Sequence, residues 1–367
     1  MRRPSALFAV LLSLASATQA ETLRLTPEIL DALPFRIVGP PNPSGRVWQV
    51  VGVPDPAGKI TSTFFVCTAG GGVWKTVNHG TTLEPLFDDA PVASCGAVAV
   101  APSDPRQVWV GTGEPASVRS NSQGRGVLKS LDGGTTWRSM GLEETEQIGA
   151  IVVHPKDPRT VWVAALGHLW GKSPERGMFK TTDGGETWTK VLFVDDTSGA
   201  LDLAMDPRNP DVLYATTWHR FRFGGGDMLE NGPGSGLWKT TDGGAHWRQL
   251  TKGLPAEAVG KVEVAVAPGN PDVVYAAILT GQPAGRGQRS VNTGGVFRSQ
   301  DAGESWERVH EMMTSYFYDH IVIDPQDENR VWLPVFELWR SDDGGRTLVK
   351  HNMRHVHNDL HTLWIDP

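Results

Sequence analysis

The densest group of chemically able side chains lies near the end of the chain: His355, His357, Asp359 and His361. On an extended segment alternate side chains share a side, so His357, Asp359 and His361 would face one way. Two imidazoles and a carboxylate make a facial metal set. The same residues equally suit a hydrogen-bonded group packing a channel entrance. Carboxylates raise a second chemistry. Glycoside hydrolysis needs two of them facing each other at about 5–9.5 Å, and Glu114, Asp202 and Asp359 are the candidates. Glu114 follows an apolar strand and opens a polar loop containing Arg119 and Asn121, where it could hold a sugar, move a proton or pair with Arg119. His168 with Trp170, and Trp218 with His219 and Arg220, place aromatic rings beside polar groups, a combination suited to carbohydrate or peptide contact. Arg46 and the run Tyr316-Phe317-Tyr318 extend that set. With 14 tryptophans in the chain, packing is the competing role for each indole.

The elements that must position these residues are visible as a repeat, the signature of stacked or radial architectures. The phrase Gly-x-x-Lys-Ser/Thr-x-Asp-x-Gly-x-x-Trp runs over 126–137, 177–188 and 236–247, and recurs with Arg for Lys over 295–306. Weaker copies occupy 72–83 and 337–348. Its Asn78, Asp132, Asp183, Asp242, Asp301 and Asp343 are spaced by 54, 51, 59, 59 and 42 residues. A second phrase alternates with it: an apolar run, a Pro-containing turn and a short aromatic strand, as in Val98 to Val110. The apolar run suits a strand buried on both faces, and proline ends it because it cannot donate to a central ladder. In the turn the acidic side chain accepts backbone N–H bonds, and Gly134, Gly185, Gly244, Gly303 and Gly345 supply positive φ. One such carboxylate per unit, always at the same local place, is scaffold rather than catalyst.

Four antiparallel strands per unit of about 50 residues predict an all-β propeller, which protects its sheet edges by radial repetition. Six full units are expected, with the start of a seventh at Trp364-Ile365-Asp366-Pro367. The propeller is assigned to residues 36–367, a lead-in to 21–35 and a secretory signal to 1–20. That signal combines Arg2 and Arg3, an apolar run from Leu7 to Leu14, and small residues up to Ala20. The run is too short to span a bilayer, which takes about 20 residues, so a chain exported to the periplasm or cell exterior is expected. A net charge of −7 without a basic block excludes the electrostatic footprint of nucleic-acid binding. Cys67 and Cys95 can pair in an oxidising compartment or remain two buried thiols. No phosphate-cradling loop, CxxC pair or nucleophile elbow is present, so no cofactor is implied.

The S/T-x-D-x-G-x-T-W turn resembles the Asp-box, or BNR repeat, of sialidases, some glycoside hydrolases and the VPS10 domain of sortilin-type receptors. The chain is most similar to exported bacterial BNR/sortilin-like propellers often labelled glycosyl hydrolases. That likeness is carried by Thr68 to Thr76, Gly111-Thr112-Gly113-Glu114, Ala165 to Gly171, Gly232 to Gly236 and His357 to Pro367. The resemblance implies a rim that binds peptide, protein or glycan, or alternatively a hydrolase with paired carboxylates at the channel mouth. Sialidases also carry an Arg-Ile-Pro motif; Phe35-Arg36-Ile37-Val38 lacks its proline, which argues against that activity.

Overall fold

The computed structural model describes residues 46–54, 60–115, 121–223, 228–281, 292–311 and 320–367. They form six four-stranded antiparallel sheets in which strands pair in sequence order, the blades of a propeller. The blades span 47–85, 97–139, 148–192, 198–250, 259–310 and 322–351. Consecutive first strands pack on one another around an axis, from Val47–Gly52 through Ala97–Val100, Ile148–Val153, Ser198–Met205 and Val259–Val266 to Val322–Asp324. Blade 4 carries an inserted hairpin, Phe221–Arg222 with Met228–Leu229, between its second and third strands. The described residues contain one 3-10 turn, Glu143–Thr145, and no α-helix. No helix among them is long and apolar enough to cross a membrane. The signal segment and lead-in lie outside the described residues.

Second strands such as Val108–Gly111 and Val161–Ala165 are buried throughout. The apolar clusters lie between blades: Trp109 of blade 2 shares one with Ile148 and Val161 of blade 3. Tyr275 of blade 5 shares another with Ile323 and Val331 of blade 6.

The turn between third and fourth strands has the expected bonding. Asp132 Oδ1 accepts from Ser130 Oγ at 2.7 Å and from the Thr136 N–H at 2.9 Å, while Gly134 N–H donates to Ser130 Oγ at 2.8 Å. Gly134 has φ +98, a conformation that a residue with a β-carbon adopts only with strain. The same pattern recurs at Asp183, Asp242, Asp301 and Asp343, and at Asn78 with an amide in place of the carboxylate. These turns also join blades. The phrase's lysine lies over an aromatic ring of its own blade and donates to the next turn's backbone, as Lys129 does over Trp109 (4.4 Å) and to Gly184 O (3.1 Å). Lys180 repeats this with Trp162 and Gly243 O.

Cys67 and Cys95 form a disulfide with Cα atoms 5.4 Å apart, tying the second strand of blade 1 to the entry of blade 2. The seventh-unit strand expected at Trp364 is not formed: residues 352–367 carry no strand. The segment instead packs on blade 1. The Trp364 ring occupies the space a β-carbon at Gly52 would need, and Asp366 Oδ2 accepts from the Thr61 N–H at 2.8 Å.

Candidate functional site

Antiparallel order fixes which loops share a face. The turns after first strands and the Asp turns meet on one face, where Gly133, Gly184 and Gly243 N–H groups donate to Arg106, Arg159 and Asp211 carbonyls. Loops between second and third strands, and the connections between blades, therefore open on the other. Arg46, Glu114, Asn121, His168, Trp170, Trp218 and Arg220 all belong to that loop face. Arg119 and Tyr318 lie outside the described residues.

Glu114 is only 2% exposed and ion-paired to the half-buried Arg46. Burial raises its pKa and Arg46 opposes the rise without cancelling it. Asn121 Nδ2 donates to the Glu114 carbonyl at 3.0 Å, closing the loop. Trp218 and Arg220 correct the sequence reading, because both are buried beneath the rim rather than displayed on it. The Arg220 guanidinium stacks 4.6 Å from the Trp218 ring and donates to the Pro115 carbonyl, tying blade 4 to the Glu114 loop. Burial lowers its pKa to about 10. A stacked, hydrogen-bonded guanidinium inside the protein is a strut.

Trp170 is displayed, at 54% exposure. Its loop is held from beneath by Arg176, which donates to the carbonyls of Leu166, His168, Gly171 and Asp196. His168 lies 3.7 Å from the Glu146 carboxylate. Arg222, on the inserted hairpin, lies 5.6 Å from the Trp170 ring, and backbone bonds from Gly171 and Arg222 stitch loop to hairpin. Sequence reasoning passed over Arg222. Its signal was the alternation Phe221-Arg222-Phe223, which puts the cation on the opposite side from two aromatics.

A second polar group sits on the innermost strands. Asp202, in blade 4, is half-buried, and its Oδ2 accepts from the Val264 N–H of blade 5 at 2.9 Å. Gln49 Oε1 does the same for Val98 between blades 1 and 2, so each satisfies an edge N–H that no strand covers. Asp202 also hydrogen-bonds Glu263, and burial together with that neighbouring carboxylate pushes its pKa well up. Burial alone would raise Glu263 too. Lys261, at 2.8 Å, and His320, at 3.4 Å, outweigh it and hold Glu263 at about 2. Glu263, Lys261 and His320 were not singled out from the sequence, yet a signal existed. The residue five places before each strand-ending proline is Gln49, Ala97, Ala150, Asp202, Glu263, His320 and Thr362. Three neighbouring units thus put ionisable groups at one register position.

The His357, Asp359 and His361 set does not assemble. Asp359 takes φ +85, which breaks the extended alternation that would align the three. His361 turns inward against Trp48, ring centroids 5.8 Å apart, while His357 and Asp359 are exposed and Asp359 lies 3.4 Å from His361. Among the described residues no three His, Cys, Asp or Glu side chains are grouped to hold a metal ion. Nor do the three candidate carboxylates make a described pair. The carboxylate that neighbours Asp202 is Glu263, which is outside that set.

The family model Sortilin-Vps10 (Sortilin, neurotensin receptor 3) matches residues 125–274. The chain is similar to sortilin-type propellers. A xyloglucanase of a Paenibacillus species is 24% identical over 299 residues, covering 72% of this chain and 27% of its own length. This chain therefore spans about a quarter of that relative. Among solved structures, a GH74 xyloglucanase from Xanthomonas campestris superposes with TM-score 0.57 at 18% identity, covering 78% of this chain and 44% of that one. YCF48 bound to D1 peptide gives 0.50 at 14% identity, covering 84% and 85%. At these identities the structural likenesses establish the propeller fold.

Proposed function

We propose that this chain is an exported propeller whose loop face binds a glycan, with Trp170 as the stacking platform and Arg222 as the polar contact beside it. The observation that carries the reading is a half-exposed indole on a loop braced by four carbonyl bonds from one buried arginine. A large aromatic surface held rigid loses little freedom on binding and suits the apolar face of a sugar ring. Relatives named xyloglucanases make xyloglucan oligosaccharides the first ligands to try. Titration calorimetry should give saturable binding that Trp170→Ala weakens by about tenfold or more. Equal affinity in the variant refutes the platform.

Peptide or protein binding at the same rim is the related reading, supported by the likeness to YCF48 bound to a peptide. Hydrolysis is the second reading. It is favoured by one observation: Glu114, at the loop face, has the upward-shifted pKa of a general acid. Against it, Glu114 is engaged by Arg46. Reducing-sugar release from xyloglucan, abolished by Glu114→Gln, would establish hydrolysis; binding without release leaves a binding module.

A further inference from the structure

Between blades 4 and 5, on the loop face, a cavity of about 700 Å³ opens beside the inserted hairpin. Its floor is core: Leu237, Leu250, Val259, Val262 and Ile278 are all buried. Leu229, 39% exposed on the hairpin, and Leu254 with Pro255 on the inter-blade connection form its sides. The walls are pinned before any ligand arrives: Gly232 N–H donates to Val259 O at 3.0 Å, and Asn231 Nδ2 to Gly281 O at 2.7 Å. Ala258, in the same wall, holds φ +51, a strained conformation for a residue with a β-carbon, of the kind that collects at ligand sites.

The chemistry of this lining differs from that of the Trp170 rim. Among the described residues it contains no aromatic ring on which a sugar could stack. Glu257, exposed on the connecting loop, is the one ionisable side chain among the described lining residues, so that lining combines aliphatic surface with a single negative charge. The volume falls in the range of about 300–1,000 Å³ typical of ligand sites. We propose that this pocket takes the amino terminus of a peptide whose leading residues are bulky and aliphatic: the side chains fill the apolar floor and the ammonium group meets Glu257. The hairpin stands between the two sites, with Leu229 lining the pocket and Arg222 set against Trp170. The peptide site is therefore separate from the glycan site and independent of it.

The test uses the mature chain and a peptide with two leading leucines, a free amino terminus and a fluorophore at its carboxyl end, followed by anisotropy. Saturable binding is expected, weakened about threefold by N-acetylation, the modest effect of losing one exposed charge pair. Glu257→Gln should weaken the free-amine peptide equally and erase the difference between the two forms. Ala256→Trp, at an exposed lining position, should fill the mouth and weaken binding about tenfold or more while leaving the thermal midpoint unchanged. No saturation up to about 1 mM, or binding indifferent to Ala256→Trp, overturns the proposal. Titrating a xyloglucan oligosaccharide into the same variant separates the two readings. Retained glycan binding with lost peptide binding supports two sites, and joint loss of both refutes their independence.

Discussion

Replacing Glu263 by Gln removes a carboxylate that compensates the buried Lys261, whose Nζ lies 2.8 Å away. Both side chains are almost wholly inaccessible, so water cannot take over the charge. At an effective dielectric constant of about 20, the lost attraction is about 6 kcal/mol at this separation, part of which the relieved desolvation of Glu263 returns. Neutralising an ordinary lysine at pH 7 costs about 4.6 kcal/mol, which caps the loss. Breaking one side of a buried pair by mutation typically costs about 3–5 kcal/mol. Glu263→Gln should therefore destabilise by about 3–4.5 kcal/mol. Asp202→Asn is the control. Its amide keeps an oxygen for the Val264 N–H but sets its NH2 against the Leu203 N–H, which Asp202 Oδ1 accepts at 2.8 Å, so its cost should be about 1–3 kcal/mol. The pH dependences differ in sign. Asp202, raised in the fold, contributes stability at low pH that is lost as pH climbs through its folded value, and the Asn variant should lack that loss. Glu263, held at about 2 against an ordinary 4.5, contributes stability above pH 4.5 that disappears as pH falls toward 2. Guanidinium denaturation of both variants from about pH 2 to 9 reads each quantity. A Glu263→Gln loss below about 1 kcal/mol, or one smaller than the Asp202→Asn loss, would refute the assignment of charges.

Two further outcomes follow from the scaffold. Reducing the Cys67–Cys95 bond, with a sequence separation of 28, should cost about 3.6 kcal/mol by loop-closure entropy; equal denaturation midpoints with and without reductant would contradict this. Asp132 and Asp301, held at about 2 chiefly by hydrogen bonds within their turns, although burial works against this at Asp301, contribute stability present above pH 4 and lost as pH falls toward 2. Acid unfolding should therefore steepen below pH 4, and a flat profile between pH 4 and 2 would show that these turns do not couple to global stability.

Local chemistry was legible wherever a residue's partner lies within its own hairpin. Asp132 finds Ser130 and Thr136 two and four residues away, and Gly134 needs its positive φ whatever surrounds it. The loop face was legible too, because strand order alone sends Glu114 and Trp170 to the same side. Where the partner belongs to another blade, spacing carried less. Trp218 and Arg220 have the composition of a rim pair, but the Pro115 carbonyl one blade-pair away draws the arginine inward. Arg222, two residues on, emerges instead on a hairpin that no repeat element announced.

The amino-acid sequence by itself determined the blade: strand order, turn bonding and the recurrent lysine, set by contacts within one hairpin or by the recurrence of the phrase from unit to unit. Only the packing of blade on blade decided that Cys67 meets Cys95, that Asp202 neighbours Glu263, and that His361 turns toward Trp48 while His357 stays in solvent. Those outcomes depend on how far each blade is rotated about the axis relative to its neighbours. Side-chain alternation along a strand says which way a residue points, and carries no record of what the next sheet places opposite it.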